Sequence, residues 1–472
     1  YLVASKSIKQ GEIILEDEPI VVGPCQESKP LCIGCYTDID LNDSNKYFRC
    51  VNCTWPLCSN QCKGFFNKFG HSKEECETFS KSFVKNKEIK TFVNFYYALT
   101  PFRCLLLKKI NPEKWKIIKN MESHTNERKK DGKLWETNEK MAVDIIKNVW
   151  GLSDDDDDND IHFVCGILEV NSFEVNFQNV QSLRALYSNA FLFSHNCIPN
   201  TSHSNNNEFK LIFRTTTFIQ KNSAVTISYA YTLQPTLLRR KHLEKTKFFQ
   251  CNCQRCSDPT ELNTFIGGVK CQICKNGFYL PENSLDNKSM WFCNSIKGCK
   301  AQIQASNIEC TIERFFNELD GINGNDVESY EYFIIKCQEI FHKNHYLCLS
   351  AMHCLSQLYG KINGYLINDL TEEQLLRKID ICKTLLSIFD KLDPGHSKQR
   401  GILLYELQAP LMVLINRKYQ NQQISQKELK NQIKQVIKYL EEAFLILSKE
   451  PENSVEGNMA QASKEALKAL RL

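Results

Sequence analysis

The feature that most constrains this chain is the spacing of its cysteines. The 472 residues include 23 cysteines, and most of them fall into closely spaced groups. The first group combines seven cysteines with one histidine: Cys32, Cys35, Cys50, Cys53, Cys58, Cys62, His71 and Cys76. Two thiolates that are separated by two residues can reach one ion, and eight such ligands suffice for two tetrahedral zinc ions. Residues 32–76 form a segment too short for a substantial hydrophobic core. We therefore expect structural zinc to supply ~10–16 kcal/mol of its folding energy.

Two more groups of cysteines follow later in the chain. The stretch "CNCQRC" offers only three thiolates, those of Cys251, Cys253 and Cys256. The last group is typical of a zinc ribbon, with one pair more widely spaced than usual: Cys271, Cys274, Cys293 and Cys299. Four tetrahedral sites need sixteen ligands, and these groups supply one too few. Cys197, in "FLFSHNCIPNTS", is the candidate for the missing ligand of the "CNCQRC" site.

Composition narrows the class of protein. No secretory signal is visible and no apolar window is long enough for a membrane helix, so metal binding in a reducing compartment is favoured over a disulfide framework. We therefore expect a nuclear or cytoplasmic monomer without a membrane partner. The net charge of +4 argues neither for nor against nucleic acid. The acidic run Asp154–Asp158 lacks the spaced ligands of a calcium loop, so we expect a solvated loop. The chain begins with Tyr1, and we expect it to lack a short N-terminal segment.

The pattern of apolar residues suggests several modules. Alternation around Gln10-Gly11 predicts a β-hairpin before the first cysteine group, and residues 79–150 are mostly helical in pattern. Strand-like runs return in "FVCGILEVNSFEV", "FKLIFRTTTFI" and "SAVTISYAY", which indicates one β domain interrupted by the cysteine-rich segment. From about residue 308 amphipathic helices take over. One of them has a Thr371/Gln374 capping box and a Pro394-Gly395 stop.

The order of the motifs resembles one family. The chain reads "GEIILEDEPIVVGP", the cysteine–histidine group, a helical insert, "NSFEV", "SHNCIPN", "ISYAY" and "FFQCNCQRC". This order resembles the SET- and MYND-domain (SMYD) protein lysine methyltransferases, and the ribbon resembles the insect branch of that family. The resemblance implies a multidomain α+β fold, in which a β-rich SET domain with a pseudoknot is split by a MYND zinc finger. A post-SET zinc cluster and a C-terminal TPR-like helical domain would follow.

The same resemblance implies domain boundaries. They are residues 1–28 for the first part of the SET domain, 29–78 for the MYND finger, 79–160 for a helical insert, 161–235 for the SET core, 236–304 for the post-SET and ribbon region, and 305–472 for the helical domain.

The resemblance also implies the ligands of each zinc ion. One finger zinc would be bound by Cys32, Cys35, Cys58 and Cys62, and the other by Cys50, Cys53, His71 and Cys76. Cys197 would complete the post-SET site with Cys251, Cys253 and Cys256. A fourth zinc would occupy the ribbon, on Cys271, Cys274, Cys293 and Cys299.

The family's activity is methyl transfer from S-adenosylmethionine to lysine side chains of histones or other proteins, with a possible role in transcription. By resemblance, the cofactor would be bound by Asn171, Ser194, His195, Tyr229 and Phe249, and the Tyr229 hydroxyl would orient the acceptor amine. Protein substrates with a target lysine are the implied partners, as are proline-rich peptides bound by the finger. Direct sequence-specific DNA binding is not expected, because no basic recognition helix follows the fingers.

Three positions depart from the family pattern. Ser194 stands where the family has asparagine, Lys247 where it has a tyrosine, and Tyr1 where it has a glycine of the cofactor motif. A shorter side chain at 194 can leave a buried polar group of the cofactor unpaired, and the charge of Lys247 would repel both a lysine substrate and the sulfonium. The alternative is therefore a weak or inactive SET scaffold that recruits partners through its MYND finger.

Overall fold

The computed structural model describes residues 1–43, 45–82, 89–151, 158–175 and 183–471. These residues form a mixed helix and sheet fold that divides into two compact units. The first unit comprises Tyr1–Glu12, Phe193–Ser202 and Arg214–Leu472, and the second comprises Ile13–Leu192 and His203–Phe213. Each unit is therefore assembled from segments that are distant in sequence.

The strands within the described residues are short. In chain order they are β1 (Ile13–Asp17), β2 (Pro19–Pro24), β3 (Phe48–Arg49), β4 (Pro56–Leu57), β5 (Phe173–Val175), β6 (Leu183–Tyr187), β7 (Ser194–His195), β8 (Thr201–Asn205), β9 (Leu211–Thr215), β10 (Thr226–Ile227), β11 (Val269–Lys270), β12 (Phe278–Pro281), β13 (Met290–Cys293) and β14 (Gln302–Gln304). Small sheets form in the orders β2-β6-β5, β1-β9-β8, β3-β4 and β11-β12-β13-β14, and β7 pairs with β10 in parallel.

The helices occupy the insert and the C-terminal region. They are α1 (Lys73–Lys81), α2 (Tyr96–Ile110), α3 (Pro112–Lys119), α4 (Thr125–Lys130), α5 (Gly132–Asn138), α6 (Asp158–Asn171), α7 (Thr236–Lys247), α8 (Gln254–Ser257), α9 (Ala305–Asp320), α10 (Val327–Ile340), α11 (Tyr346–Leu358), α12 (Glu372–Leu392), α13 (Lys398–Gln420), α14 (Gln426–Leu447) and α15 (Val455–Arg471). A 3-10 segment precedes α2, and two π-helical turns follow α5. None of the described helices is long and apolar enough to cross a membrane.

The hairpin that we predicted around Gln10-Gly11 is wrong. Ile8 pairs with Ile219, and beyond the turn the chain continues as β1, whose neighbour is β9. The turn is real, since Gly11 has φ +81° and Glu12 N–H donates to the Lys9 carbonyl. Alternation of apolar and polar residues shows that a strand has two unlike faces, but it does not identify the partner strand. Here both flanks of the turn find their partners some 200 residues later in the chain.

The run "FVCGILEVNSFEV" is also corrected. Most of it forms α6, and only Phe173–Val175 is a strand. The helix is buried over much of its circumference, including Ile161, Cys165 and Leu168. Burial on several faces removes the 3.6-residue periodicity that distinguishes a helix from a buried strand. Of the acidic run, 154–157 lie outside the described residues and Asp158 begins α6.

An aromatic core joins the cysteine-rich finger to the helical insert within the second unit. Trp55, which is fully buried, stacks on Phe79 with ring centres 4.9 Å apart. The rings of Phe92 and Tyr96 meet Trp55 edge-on, at 5.1 and 5.7 Å. Aromatic side chains bury large apolar areas, so this cluster fixes the finger against α1 and α2.

The C-terminal helices pack in chain order, each on the next, from α10 to α15. The start and stop signals that we predicted for one of these helices are confirmed in α12. Thr371 closes a capping box with Gln374 at the start of α12, and Ser425 does the same with Glu428 before α14. The helix α12 ends at Leu392, just before Pro394-Gly395. Outside the four groups of clustered cysteines, Cys165, Cys337 and Cys382 are buried and free.

Candidate metal clusters and active site

Cysteine and histidine side chains converge in four groups. Within each, the ligand atoms lie within 4.8 Å of one another: Cys32, Cys35, Cys58 and Cys62; Cys50, Cys53, His71 and Cys76; Cys197, Cys251, Cys253 and Cys256; Cys271, Cys274, Cys293 and Cys299. Neighbouring sulfurs are 3.5 to 3.9 Å apart, for example 3.5 Å between Cys197 and Cys256. Tetrahedral zinc with Zn–S bonds of ~2.3 Å separates its sulfurs by about 3.8 Å. Donor type and spacing therefore fit zinc in every group.

The local sequence explains part of this convergence. Cys32 N–H and Tyr36 N–H close a tight turn around the first pair, and Thr54 closes the equivalent turn after Cys50. Cys76 comes from α1, whose N-cap Ser72 accepts a hydrogen bond from Glu75 N–H. Helix and turns thus present ligands from separate segments to one point, so metal binding and folding of the finger are coupled.

The histidine of the finger is held by a buried carboxylate. His71 Nε2 lies 3.2 Å from Cys53 Sγ, while its Nδ1 lies 2.8 Å from Glu75 Oε1. A carboxylate on the far nitrogen fixes the tautomer and orientation of a metal-binding imidazole. Glu75 is itself paired with Arg103 Nε at 2.6 Å. Burial alone would raise the pKa of Glu75, but Arg103 and His71 outweigh that effect and hold it below its ordinary value.

Arg103 connects this cluster to the sheet of the second unit. Its Nη1 donates to the Val22 carbonyl in β2 at 3.0 Å, and its Nη2 donates to the Ile33 carbonyl in the finger at 3.0 Å. The same guanidinium donates to the Tyr36 hydroxyl at 2.7 Å. A planar, multiply bonded guanidinium is suited to such a junction. Sequence reasoning missed both Glu75 and Arg103. The spacing of His71 and Glu75, four residues apart at the start of a helix, was the available signal for the first.

The Cys197 cluster lies where two distant segments cross. Strand β7 runs parallel to β10, with His195 opposite Ile227. Asn200 ties the segments together: its amide donates to the Ala224 carbonyl and its carbonyl accepts from Thr226 N–H, both at 2.8 Å. Cys197 is thereby brought to the three cysteines that follow α7. The sequence prediction that Cys197 is the missing fourth ligand agrees with this placement.

Two buried arginines surround the same cluster. Arg239 Nε lies 3.2 Å from Cys197 Sγ, and its Nη2 lies 3.4 Å from Cys256 Sγ. Glu261 Oε2 accepts from Arg239 Nη1 at 2.6 Å and from Arg255 Nε at 2.9 Å. Both arginines are fully buried, and Glu261 is 3% exposed. Sequence reasoning missed all three, because nothing in their spacing indicates that they face the thiolates.

Three of the predicted active-site residues come together beside this cluster. The ring centre of His195 is 5.3 Å from that of Tyr229 and 5.8 Å from that of Phe249. Tyr229 and Phe249 meet edge-on at 6.4 Å. Burial lowers the pKa of His195 to about 4, so the imidazole is neutral at physiological pH. The result is an aromatic recess with a neutral polar edge.

The hydroxyl of Tyr229 donates to the Phe193 carbonyl. Burial raises the pKa of Tyr229 to about 12, so the phenol remains protonated near neutral pH. A phenol in this state can donate one hydrogen bond and still accept others. It can orient a neighbouring amine, but it cannot act as a strong base.

Lys247 lies against this recess. Its Nζ is 5.7 Å from the centre of the Tyr229 ring, a distance typical of a cation–π contact. The side chain is half-buried, and the following residue, Phe248, has φ +59° at the end of α7. Lys247 therefore does not point away from Tyr229.

The other predicted cofactor residues are placed differently. Ser194 precedes His195 in β7. The side-chain oxygen of Asn196, which follows His195, accepts a hydrogen bond from Ile198 N–H at 2.9 Å. This bond stabilises the local turn. Asn171 ends α6 in the second unit, where its amide donates to the Glu122 carbonyl at 2.8 Å.

A core of small β-sheets interrupted by a cysteine-rich finger, a crossing that carries His195 and Cys197, and a cysteine cluster after it resemble the arrangement of SET-domain proteins with a MYND-type finger and a helical C-terminal domain. No family model matches the chain. Over 418 residues it is 24% identical to the SET domain-containing protein SmydA-8, isoform B, of Drosophila melanogaster, covering 86% of this chain and 88% of that protein. Isoform A is 22% identical over 414 residues, or 86% and 85%.

A plant relative extends the comparison. The chain is 23% identical over 296 residues to the histone-lysine N-methyltransferase ASHR1 of Arabidopsis thaliana, covering 60% of this chain and 59% of that protein. Together with the two Drosophila isoforms, this confirms that the chain resembles the SMYD type of SET-domain protein over most of its length.

Proposed function

We propose that the protein is an S-adenosylmethionine-dependent protein lysine N-methyltransferase. The observation that carries the proposal is the convergence of His195, Tyr229 and Phe249 beside the Cys197 cluster. Their ring centres lie 5.3 to 6.4 Å apart. Similarity to a relative named as a histone-lysine N-methyltransferase supports it. Lysines of histone or non-histone proteins are the substrates that we infer, with a role in transcriptional regulation.

The chemistry follows from the residues of the recess. S-adenosylmethionine, when bound, would supply an electrophilic methyl group on a sulfonium, and His195, Ser194 and Phe249 are the residues we assign to holding it. The acceptor must be a neutral amine, although a free lysine has a pKa near ~10.4. Apolar aromatic walls favour the neutral form of an amine. The protonated Tyr229 hydroxyl would then orient the amine lone pair, and correct alignment alone is worth up to ~7–11 kcal/mol.

The test is binding followed by turnover. Isothermal titration calorimetry of zinc-loaded full-length protein should detect S-adenosylmethionine, and radiolabelled methyl groups should enter a mixture of histones. Tyr229→Phe should lower incorporation by roughly a hundredfold, because it removes the group that orients the amine. Tyr231→Phe is the matched control, since Tyr231 is two residues away and 76% exposed. No detectable binding of S-adenosylmethionine would refute the proposal.

A second function is favoured by Lys247. A charge 5.7 Å from the Tyr229 ring opposes both a lysine ammonium and a sulfonium. The chain would then be a weak or inactive SET scaffold that recruits partners through its finger. Methyl incorporation that Tyr229→Phe abolishes would eliminate this alternative.

We further propose that the finger binds proline-rich peptides. An open groove of about 990 Å³ lies on it, lined by Pro30, Ile39, Leu41 and Val93 together with charged side chains such as Asp40. Such a groove can accept an extended peptide, whose low flexibility reduces the entropic cost of binding. Fluorescence anisotropy with a labelled proline-rich peptide should show weaker binding for Val93→Asp. Equal affinity of the two proteins would exclude this groove.

We infer four zinc ions per chain, one in each group of ligands. Elemental analysis of the purified protein should give four zinc ions, and Cys274→Ser in the ribbon should reduce the number to three. A wild-type value of three that Cys274→Ser leaves unchanged would remove the ribbon from the set of metal sites.

A further inference from the structure

The imidazole of His195 connects the Cys197 cluster to the backbone of Tyr229. Its Nδ1 accepts a hydrogen bond from Tyr229 N–H at 2.9 Å, and its Nε2 lies 3.2 Å from Cys197 Sγ. Because Nδ1 is an acceptor, the ring proton of the neutral imidazole lies on Nε2, where it points toward the sulfur. One side chain therefore bonds to a cluster ligand with one nitrogen and to the proposed active site with the other.

Cys197 is also contacted by Arg239. The guanidinium donates toward Cys197 Sγ at 3.2 Å and toward Cys256 Sγ at 3.4 Å, so Cys197 receives donors from both His195 and Arg239. Such donors bond most strongly to a charged thiolate. The two donors therefore bond most firmly when Cys197 is a thiolate, which is the form that would bind a metal ion.

The buried charged side chains around the Cys197 cluster also favour thiolates over neutral thiols. Arg239 and Arg255 are both fully buried, and Glu261 forms an ion pair with each of them. Arg239 also lies against Cys197 Sγ and Cys256 Sγ, where its positive charge stabilises thiolates. Four thiolates around one zinc ion carry a net charge of minus two. The buried arginines therefore favour the loaded cluster over four neutral thiols.

We propose that His195 is a positioning residue through which metal occupancy of the Cys197 cluster fixes the backbone of Tyr229. When the cluster is loaded, Cys197 Sγ is fixed and holds Nε2 of the ring, so that Nδ1 is presented to Tyr229 N–H. When the metal leaves, the sulfur loses its fixed position and the hydrogen bond to Tyr229 weakens. The role of Tyr229 in orienting a substrate rests on the proposed function, but the coupling itself does not require a bound cofactor.

Two substitutions separate the two halves of this bridge. The amide nitrogen of His195→Gln can reach the place of Nε2, so this variant keeps a donor for Cys197 but offers no acceptor at the place of Nδ1. The amide oxygen of His195→Asn falls near Nδ1, so this variant keeps the acceptor for Tyr229 N–H but loses the donor to the sulfur. His353→Gln, in α11, is the control, because His353 is also a half-buried histidine but lies far along the chain from the cluster.

The measurements are made on the full-length, zinc-loaded protein. Hydrogen–deuterium exchange of the peptide that contains Tyr229 should be slow in wild type and about tenfold faster after chelation, the change expected from losing one hydrogen bond. In His195→Gln, exchange should already be fast with zinc bound, and zinc release to a chromogenic chelator should remain near wild type. In His195→Asn, exchange should remain slow, while one zinc ion should be released several-fold faster.

Two results would overturn the proposed coupling between the cluster and Tyr229. Exchange at Tyr229 that does not respond to zinc removal overturns the coupling, as does equal loss of both properties in both variants, which would indicate packing alone. Failure of the proposed function is a separate result. Calorimetry would then detect no S-adenosylmethionine binding, while the exchange and zinc-release data would still confirm or refute the bridge.

Discussion

The ammonium of Lys247 bears directly on the electrostatics of the recess. It lies 5.7 Å from the centre of the Tyr229 ring and is half-buried, so water screens it only partly. A cationic ligand beside Tyr229 would be repelled, whereas a neutral ligand of the same shape would not be. The charge therefore affects a sulfonium cofactor and its uncharged product differently.

Lys247→Met should tighten binding of S-adenosylmethionine. Removing one like charge several ångströms from the sulfonium should improve affinity about fivefold, or roughly 1 kcal/mol after allowing for solvent screening. S-adenosylhomocysteine, which lacks the sulfonium charge, should gain much less. Calorimetry with both ligands measures the difference. Lys245→Met is the control, because Lys245 lies on the same helix and is exposed. An equal effect of both substitutions, or weaker binding, would contradict the electrostatic argument.

The turn between α12 and α13 connects several segments of the first unit through hydrogen bonds. Gly395 has φ +81°, and a Cβ built on it would lie 1.9 Å from the Thr216 carbonyl oxygen. That carbonyl accepts from His396 N–H and from Gln10 Nε2, both at 2.9 Å. The turn thus bonds the C-terminal helices to the loop that follows β9 and, through the same carbonyl, to the N-terminal segment that contains Gln10.

Gly395→Ala should be severely destabilising. The methyl group meets a backbone atom that cannot move without breaking both hydrogen bonds, so a loss of roughly 3–5 kcal/mol is expected. Gly364→Ala is the matched control. Gly364 also has positive φ, at +85°, but its Cβ would meet nothing within 4 Å. Melting temperatures of the two variants separate steric clash from backbone strain. Equal melting temperatures would show that the clash is relieved by a shift of the turn.

Asp393, in the same turn, makes stability depend on pH. Burial raises its pKa to about 6, and the Ser397 hydroxyl and Arg255 only partly oppose this. The unfolded value is about 3.9, so the folded protein binds the proton more tightly. The stabilising contribution is therefore complete below about pH 4 and is lost as the pH rises to about 6. The shift corresponds to about 3 kcal/mol.

Asp393→Asn removes this titration. The melting temperature of the wild type relative to the variant should fall between about pH 4 and 6 and remain constant above that range. Comparing the two proteins at each pH cancels other acid-sensitive contributions, including metal loss, which both proteins share. A difference that does not change over this interval would show that Asp393 ionises normally in the folded state.

Across the whole molecule, features that depend on neighbouring residues were easier to predict from the sequence than features that depend on contacts between distant residues. The pairs of cysteines and the capping box at Thr371 could be predicted, because each depends on residues a few positions apart. The ligand Cys197 followed from counting, since a tetrahedral site needs a fourth donor. The partners of β1 and the buried pair of Arg239 with Glu261 could not be predicted, because they depend on contacts that only the folded chain creates.

The same contrast explains the error at α6. A helix buried on several sides has the apolar run of a buried strand, and only its length and its tertiary surroundings distinguish them. Family resemblance located His195 and Tyr229 in the sequence, but it did not indicate that the His195 ring bonds to both Tyr229 and Cys197. Contacts by which one residue positions another are therefore the part of this site that could not be predicted from the sequence.

The metal clusters are distributed unevenly along the chain. Their ligands lie between Cys32 and Cys76 and between Cys197 and Cys299, and no further group of suitable ligands occurs in the described part of the helical region, 305–471. That region instead has a continuous apolar core, which includes Leu355 and Leu385. Its stability should therefore depend on apolar burial, whereas the finger depends on metal.

Removing zinc should consequently unfold the protein in parts. Incubation with a strong chelator should release the metal and abolish S-adenosylmethionine binding, yet most of the helical signal in far-ultraviolet circular dichroism should persist. The helices α10–α15 pack on one another, and most of the apolar residues they bury lie away from the ligand groups. A thermal transition should remain in the chelated protein, and adding zinc back should restore binding. Complete loss of helical signal on chelation would show that the helical region cannot fold without the metal clusters.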